Sequence, residues 1–313
     1  MRSSVPSRRK FLRSSSVLVA VATVGLSACA TFTNNSAAAT VDGTDISRDT
    51  LESFIEEFAA NRQLPLADGI VQSDDARNLL AGMIKAKVYT DFLARYGKPL
   101  TKAQRDAVLA DIDGEQIKNL SADLQSLVID LNAATNAITE LDPPSDAAIE
   151  KLYKEKPSLT GAMCASHIIV KKKATAQKML SMLSNGAKFA DLAKKYSTEP
   201  AAKESGGALQ GQSADGKTGP CMSILEYQQN FDPAFTRGAL AARAGVPYGP
   251  VQSSFGWHVI LLAPWDQVKD AALDLVKSEP GPNLATGYLA NADITVDPAY
   301  GRWASATGNI AAN

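Results

Sequence analysis

The chain has 313 residues, 45% of them hydrophobic and 21% charged, which is enough to bury sizeable cores in about two domains and excludes a disordered chain. The first 28 residues hold five cations (Arg2, Arg8, Arg9, Lys10, Arg13) and no acid, so their loss takes the formal charge from -1 to -6. A mildly acidic body gives no support for nucleic-acid binding, and no nucleic-acid partner is expected.

In chain order, the basic head leads into Val17 to Gly25, an apolar run too short to span a bilayer as a stable helix. It ends in Leu26-Ser27-Ala28-Cys29, which resembles the lipobox of bacterial lipoproteins. Upstream, Ser7-Arg8-Arg9-Lys10-Phe11-Leu12 resembles the twin-arginine export signal. Residues 1–28 are therefore expected to be a signal peptide, with Cys29 the lipidated residue that anchors an extracytoplasmic protein to the cell membrane. A generic secretory signal is the alternative. Thr31 to Thr40 is rich in Ser, Ala, Asn and Thr and reads, within residues 29–40, as a flexible tether. Of three cysteines, the lipobox takes one. That leaves Cys164 and Cys221 as a disulfide pair in an oxidising compartment, or else as two buried thiols.

Val41-Asp42-Gly43-Thr44 reads as a small strand and turn. Leu51, Phe54, Ile55 and Phe58 fall at helical spacing, as do Ala76, Leu79, Leu80, Met83, Ile84 and Val88. Thr101 with Gln104 opens a third helix as a capping box. Ile117, Leu120, Leu124, Leu127 and Leu131 define a fourth, whose stripe serves core packing or, alternatively, a client-binding groove. Pro143-Pro144 breaks the pattern, and a short helix through Ile149, Leu152 and Tyr153 ends before Pro157. These elements make residues 41–157 a helical domain.

From residue 158 to 264 the pattern becomes strand, helix, helix, glycine-rich loop, helix, strand. The two best strand candidates are Ala165 to Val170 and Phe255 to Leu262, and each carries one of the only two histidines in the chain. Alternation puts His167 on the face of Ile169, and His258 on the face of Ile260 and Leu262, so both imidazoles point inward. Ala176, Met179, Leu180 and Leu183 form one helix that stops at Asn185-Gly186, and Phe189, Leu192, Ala193 and Tyr196 form the next. Beyond it, residues 265–313 carry one more helix, through Val268, Ala271, Ala272, Leu275 and Val276, cut by Pro280-Gly281-Pro282. An Ile294-Thr295-Val296 strand and Tyr300-Gly301-Arg302-Trp303 close the tail.

Residues 161–264 resemble the parvulin family of peptidyl-prolyl isomerases. The motifs are His167-Ile168-Ile169-Val170, Gly186-Ala187-Lys188-Phe189 through Tyr196-Ser197, Ser205-Gly206-Gly207-Ala208-Leu209, Gly249-Pro250-Val251, and Phe255-Gly256-Trp257-His258-Val259-Ile260, in the family's order and spacing. The resemblance implies an α+β fold, in which a small antiparallel sheet surrounded by helices is inserted in a mainly helical, chaperone-like domain to which residues 265–313 return. It implies His167, His258 and Glu199 as catalytic residues, and Phe231, Phe235 and Phe255 as the walls that hold a proline ring. The three phenylalanines also fit as plain core aromatics. Glu199 lies where the family carries Cys or Asp, Phe231 where it usually has Met, and Ala208 and Gln210 depart from its glycine loop.

The chemistry explains the residue types. Rotation about an X-Pro bond crosses a barrier of roughly 18–20 kcal/mol set by amide resonance, and no bond breaks. An apolar cup for the ring and a poorly solvated, preorganised wall suffice, so no cofactor and no metal are expected. A metal site is disfavoured because neither histidine has ligand-type spacing. A serine hydrolase is disfavoured because Gly211-Gln212-Ser213-Ala214-Asp215 lacks the last glycine of a nucleophile elbow. Lys171-Lys172-Lys173 reads as a solvated loop face, with recognition of phosphate or acidic clients the alternative. The whole resembles extracytoplasmic foldases whose partners are unfolded secreted proteins with X-Pro bonds. A holdase with a weakly active isomerase module is the alternative function.

Overall fold

A computed structural model describes residues 36–61, 66–67, 70–71, 73–112, 117–212, 216 and 218–313. The export signal, Cys29 and the Ser213 to Asp215 part of the elbow-like motif lie outside the described residues. In chain order the N-terminal elements are β1 (Ala37–Val41), β2 (Thr44–Ser47), α1 (Arg48–Ala60), α2 (Ser73–Arg95), α3 (Lys102–Asp111), α4 (Ala122–Thr139) and α5 (Asp146–Glu155). A middle section follows with β3 (Ala165–Val170), α6 (Lys173–Ser184), α7 (Phe189–Tyr196), α8 (Pro200–Ser205), α9 (Ile224–Asn230), α10 (Pro233–Ala241), β4 (Tyr248–Ser253) and β5 (Gly256–Leu262). Helices α11 (Trp265–Ser278) and α12 (Pro280–Asn291) and strand β6 (Ile294–Val296) then return.

The fold is α+β, with small antiparallel sheets among helices. Several helix starts have a local cause. Ser47, Thr101, Ser121 and Ser145 accept hydrogen bonds from backbone N–H groups of the first turns of α1, α3, α4 and α5, caps that contribute about 1 kcal/mol each. The Thr101–Gln104 capping box is present with both of its bonds. No helix among the described residues is long and apolar enough to cross a membrane.

Three expectations need correction. Residues 37–40 are not tether: β1 lies between β2 and β6, with Ala39 opposite Val296 and Val41 opposite Ile294, and Ala37, Ala38 and Ala39 are buried. Alanine-rich composition reads as linker, whereas partners about 255 positions away make it the central strand of its sheet. The fourth helix starts at Ala122, because the Ser121 hydroxyl caps it, so Ile117 and Leu120 are buried ahead of the helix instead of inside it.

The third correction follows Pro280: α11 ends at Ser278, as expected, but a second helix, α12, starts at Pro280 where only tail was expected. Pro is suited to the first helical position, where no N–H is required. Gly281 then passes so close to α4 that a Cβ there would lie 1.7 Å from the Ile138 carbonyl oxygen.

The sheet of the middle section runs β4-β5-β3, all antiparallel. One face packs Ile168, Val170 and Val259 on Met179 of α6 and Leu192 of α7. On the other, Ala165, Ile260 and Leu262 pack on Phe235, Ala239 and Leu240 of α10. The free edge of β3 is covered by a loop: His167 N–H donates to the Gly207 carbonyl and Leu209 N–H to that of Ala165. Gly207 has φ +91 and sits where a Cβ would meet the His167 carbonyl oxygen at 2.6 Å, so only glycine fits this approach. Cys164, next to β3, is joined to Cys221, 57 positions on, and Met163 beside it pairs with Met222.

Candidate active site

The sheet register places the histidines. His167 lies opposite Ile260 and His258 opposite Ile169, so the two imidazoles are diagonal neighbours on one face, within reach of each other. Their Nδ1 atoms are 3.3 Å apart, and the rings lie nearly parallel with centroids 5.5 Å apart. Both residues are buried, with 6% of His167 and 4% of His258 exposed.

The partners fix the tautomers. Glu199 Oε2 lies 2.9 Å from His167 Nε2, and a carboxylate only accepts, so Nε2 carries the proton. His167 Nδ1 is then an acceptor and takes the Nδ1–H of His258. That leaves His258 Nε2 as an acceptor for the Ser253 hydroxyl at 2.6 Å. Ser253 Oγ in turn accepts from the Phe255 N–H at 3.1 Å. Every donor in the row points toward Glu199, and both rings are neutral. Burial pushes each imidazole down from 6.5 to about 4. At His258 the neighbouring ring lowers it further, while Asp232 and Glu199 pull the other way. The Glu199 contact is thus a hydrogen bond from a neutral ring, not an ion pair.

Beside the pair opens a cavity of about 370 Å³ whose walls include His167, His258, Glu199, Phe231, Phe235 and Phe255. All six residues expected from the sequence therefore meet at one hollow. Phe235 is buried and presents its ring edge-on to both imidazoles, at 5.5 Å from His167 and 5.1 Å from His258. Phe231 stacks on Phe235 at 5.2 Å across a corner between two helices: α9 ends at Asn230, Phe231 is its C-cap, and Phe235 belongs to α10. Phe255 is in the turn before β5, not in the strand, and is 74% exposed at the cavity's mouth. The longer Glu199 side chain reaches His167 because it stands just before α8, anchored where the Thr198 N–H donates to the Ile169 carbonyl.

Two residues at the site went unread in the sequence. Ser253 carries no signal of its own in the sequence, and only the β4–β5 hairpin, which sets it opposite Gly256, brings its hydroxyl to His258. Asp232 lines the cavity, caps α10 through the Ala234 N–H, and accepts from both the N–H and the hydroxyl of Ser254. Asp before Pro is the signal that marks such a cap.

Residues 149–263 match the family model of the PPIC-type PPIASE domain. The chain carries a parvulin-type domain. Foldase protein PrsA 2 of Listeria innocua is 34% identical to it over 177 residues, 56% of this chain and 51% of that protein. The chain thus spans about half the length of the curated PrsA 2 relatives it matches. A probable parvulin-type peptidyl-prolyl cis-trans isomerase of Bordetella bronchiseptica is 28% identical over 261 residues, 81% of this chain and 87% of the relative. Among solved structures, PrsA from Bacillus subtilis aligns at 20% identity with a TM-score of 0.28, covering 82% of this chain and 92% of that one. In the parvulin domain of the present chain, the sheet supplies both histidines, α10 supplies the aromatic floor, and the β4–β5 turn supplies the rim.

Proposed function

We propose that this protein is an extracytoplasmic peptidyl-prolyl cis-trans isomerase that assists the folding of secreted proteins. The observation that carries the reading is the hollow floored by Phe235 beside two neutral, mutually hydrogen-bonded imidazoles. A pyrrolidine ring fits against Phe235 and Phe231. The adjoining amide then lies against the two oriented, neutral imidazoles in a setting poor in water, which favours the twisted, non-conjugated state over the planar one. No proton has to move, and the histidines act by shape and polarity. Such a catalyst speeds the slow X-Pro step of client folding and leaves its equilibrium unchanged.

In this reading residues 1–28 are removed, Cys29 carries the lipid, and residues 41–157 and 265–313 form the chaperone-like body around an isomerase domain at 158–264. The pairing of β1 with β6 and the core that joins Leu51 and Ile84 to Leu289 and Val296 support that division. A mass spectrum of the mature N-terminus tests the lipid on Cys29. The catalytic reading is tested by a protease-coupled assay on a proline tetrapeptide. Wild type accelerates isomerisation, and His258→Ala lowers kcat/KM at least tenfold with the far-UV spectrum preserved. Background rates for wild type would refute it.

A further inference from the structure

The walls of the cavity carry charge of one sign. Glu199 and Asp232 line it, and none of its described lining residues is Lys or Arg. Both carboxylates are hydrogen-bonded, yet neither is neutralised. Glu199 accepts from an uncharged imidazole, and Asp232 accepts from Ser254 and from the backbone of Ala234, all neutral donors. Several carboxylates elsewhere are matched with cations, as Asp297 with Arg48, Asp130 with Arg105 and Asp146 with Lys277. Burial works against ionisation of Asp232, but its three hydrogen bonds outweigh that and hold it below the usual carboxylate range. The two charges come from different walls, one just before α8 and one at the start of α10, and both act on His258 at the centre. The side chain of Glu199 is 46% exposed, so its field reaches a peptide at the mouth.

We propose that the cavity selects prolines flanked by a basic residue and disfavours those flanked by Asp or Glu, with Glu199 and Asp232 as the specificity-determining residues. This rests on the isomerase reading and adds the class of peptide to it. A chain threading the hollow carries its neighbouring side chains past one carboxylate or the other. Coulomb's law in water across roughly 7 Å gives about a threefold gain for a cation and a threefold loss for an anion, hence about tenfold between Lys and Glu.

The test is NMR exchange spectroscopy on short peptides with Lys, Gln or Glu placed immediately before or immediately after the proline. At low ionic strength kcat/KM is expected to fall in the order Lys, Gln, Glu at one or both positions, with about tenfold between the extremes. At about 0.5 M salt, where screening acts within roughly 4 Å, the difference should shrink to about twofold. In Asp232→Asn and Glu199→Gln the readout is the Lys-to-Glu ratio, not the absolute rate, and it should fall about tenfold, to near one, in at least one of them at the position that carboxylate governs. Equal rates for the three peptides, or a preference for Glu, would overturn the proposal. If no peptide is turned over, the isomerase reading fails instead. Peptide-induced shifts of the two imidazole C–H signals then decide the charge preference by binding alone: tighter Lys binding supports it and equal binding removes it.

Discussion

Mild acid should loosen this protein. His167 and His258 are the only histidines in 313 residues, and burial holds both at about 4 when folded against 6.5 when free. The folded value is the lower one, so between the two values the unfolded chain binds more protons than the native one. Stability is then complete above about pH 6.5 and is lost as pH falls toward about 4. From about pH 7.5 to about pH 5.5, one fully desolvated imidazole accounts for about 1.4 kcal/mol of that loss. Both rings line the cavity and are held equally low, so about 2–3 kcal/mol is expected for the pair. Urea unfolding followed by tryptophan fluorescence reads it as a midpoint that falls across this window. The His167→Gln, His258→Gln double variant should show a flat midpoint. A flat midpoint in wild type, or a pH dependence that survives in the double variant, would refute the neutral, desolvated pair.

The tautomers are directly observable: long-range nitrogen–proton spectra should show the proton on Nε2 of His167 and on Nδ1 of His258 at neutral pH, and two Nε2–H rings would break the donor row toward Glu199. Phe235→Ala removes the cavity floor and should lower kcat/KM at least tenfold while costing about 3–5 kcal/mol of stability; a variant with unchanged rate would take Phe235 out of the site. Replacing Cys164 and Cys221 by Ser opens a loop of 57 residues, for which loop-closure entropy gives a loss of about 4 kcal/mol, read as a lower unfolding midpoint than that of the oxidised protein. Gly281→Ala places a methyl against the Ile138 carbonyl and should cost about 2–3 kcal/mol by forcing α12 from α4; an unchanged Tm would contradict that approach.

Much of the site was legible because its residues sit in locally strong patterns. His167 and His258 lie in β-branched, aromatic runs whose alternation already points both rings inward, and the register then makes them diagonal neighbours. Phe235 and Glu199 followed from spacing within the family resemblance. What was missed depends on distant partners. Ala37 to Thr40 becomes a central strand only because β6 returns to it, and alanines carry no strand signal of their own. The corner at Asp232-Pro233 splits what looked like one helix, so Phe231 and Phe235 meet across a cap instead of along a turn. Pro280 was read as a stop, which it is for α11, and the start that the same ring gives α12 went unread. Ser253 acquires its place only when the hairpin folds His258 back upon it.

The bond between β1 and β6 also sets an order of assembly. Synthesis releases residue 41 long before residue 294, so for most of that interval β1 has no outer neighbour and the framework around it stays unfinished. The stretch in between has its whole sheet, both imidazoles and the aromatic floor within residues 165–262, all made before the last strand exists. The catalytic unit can therefore be complete while the body that holds it is still waiting for its final segment.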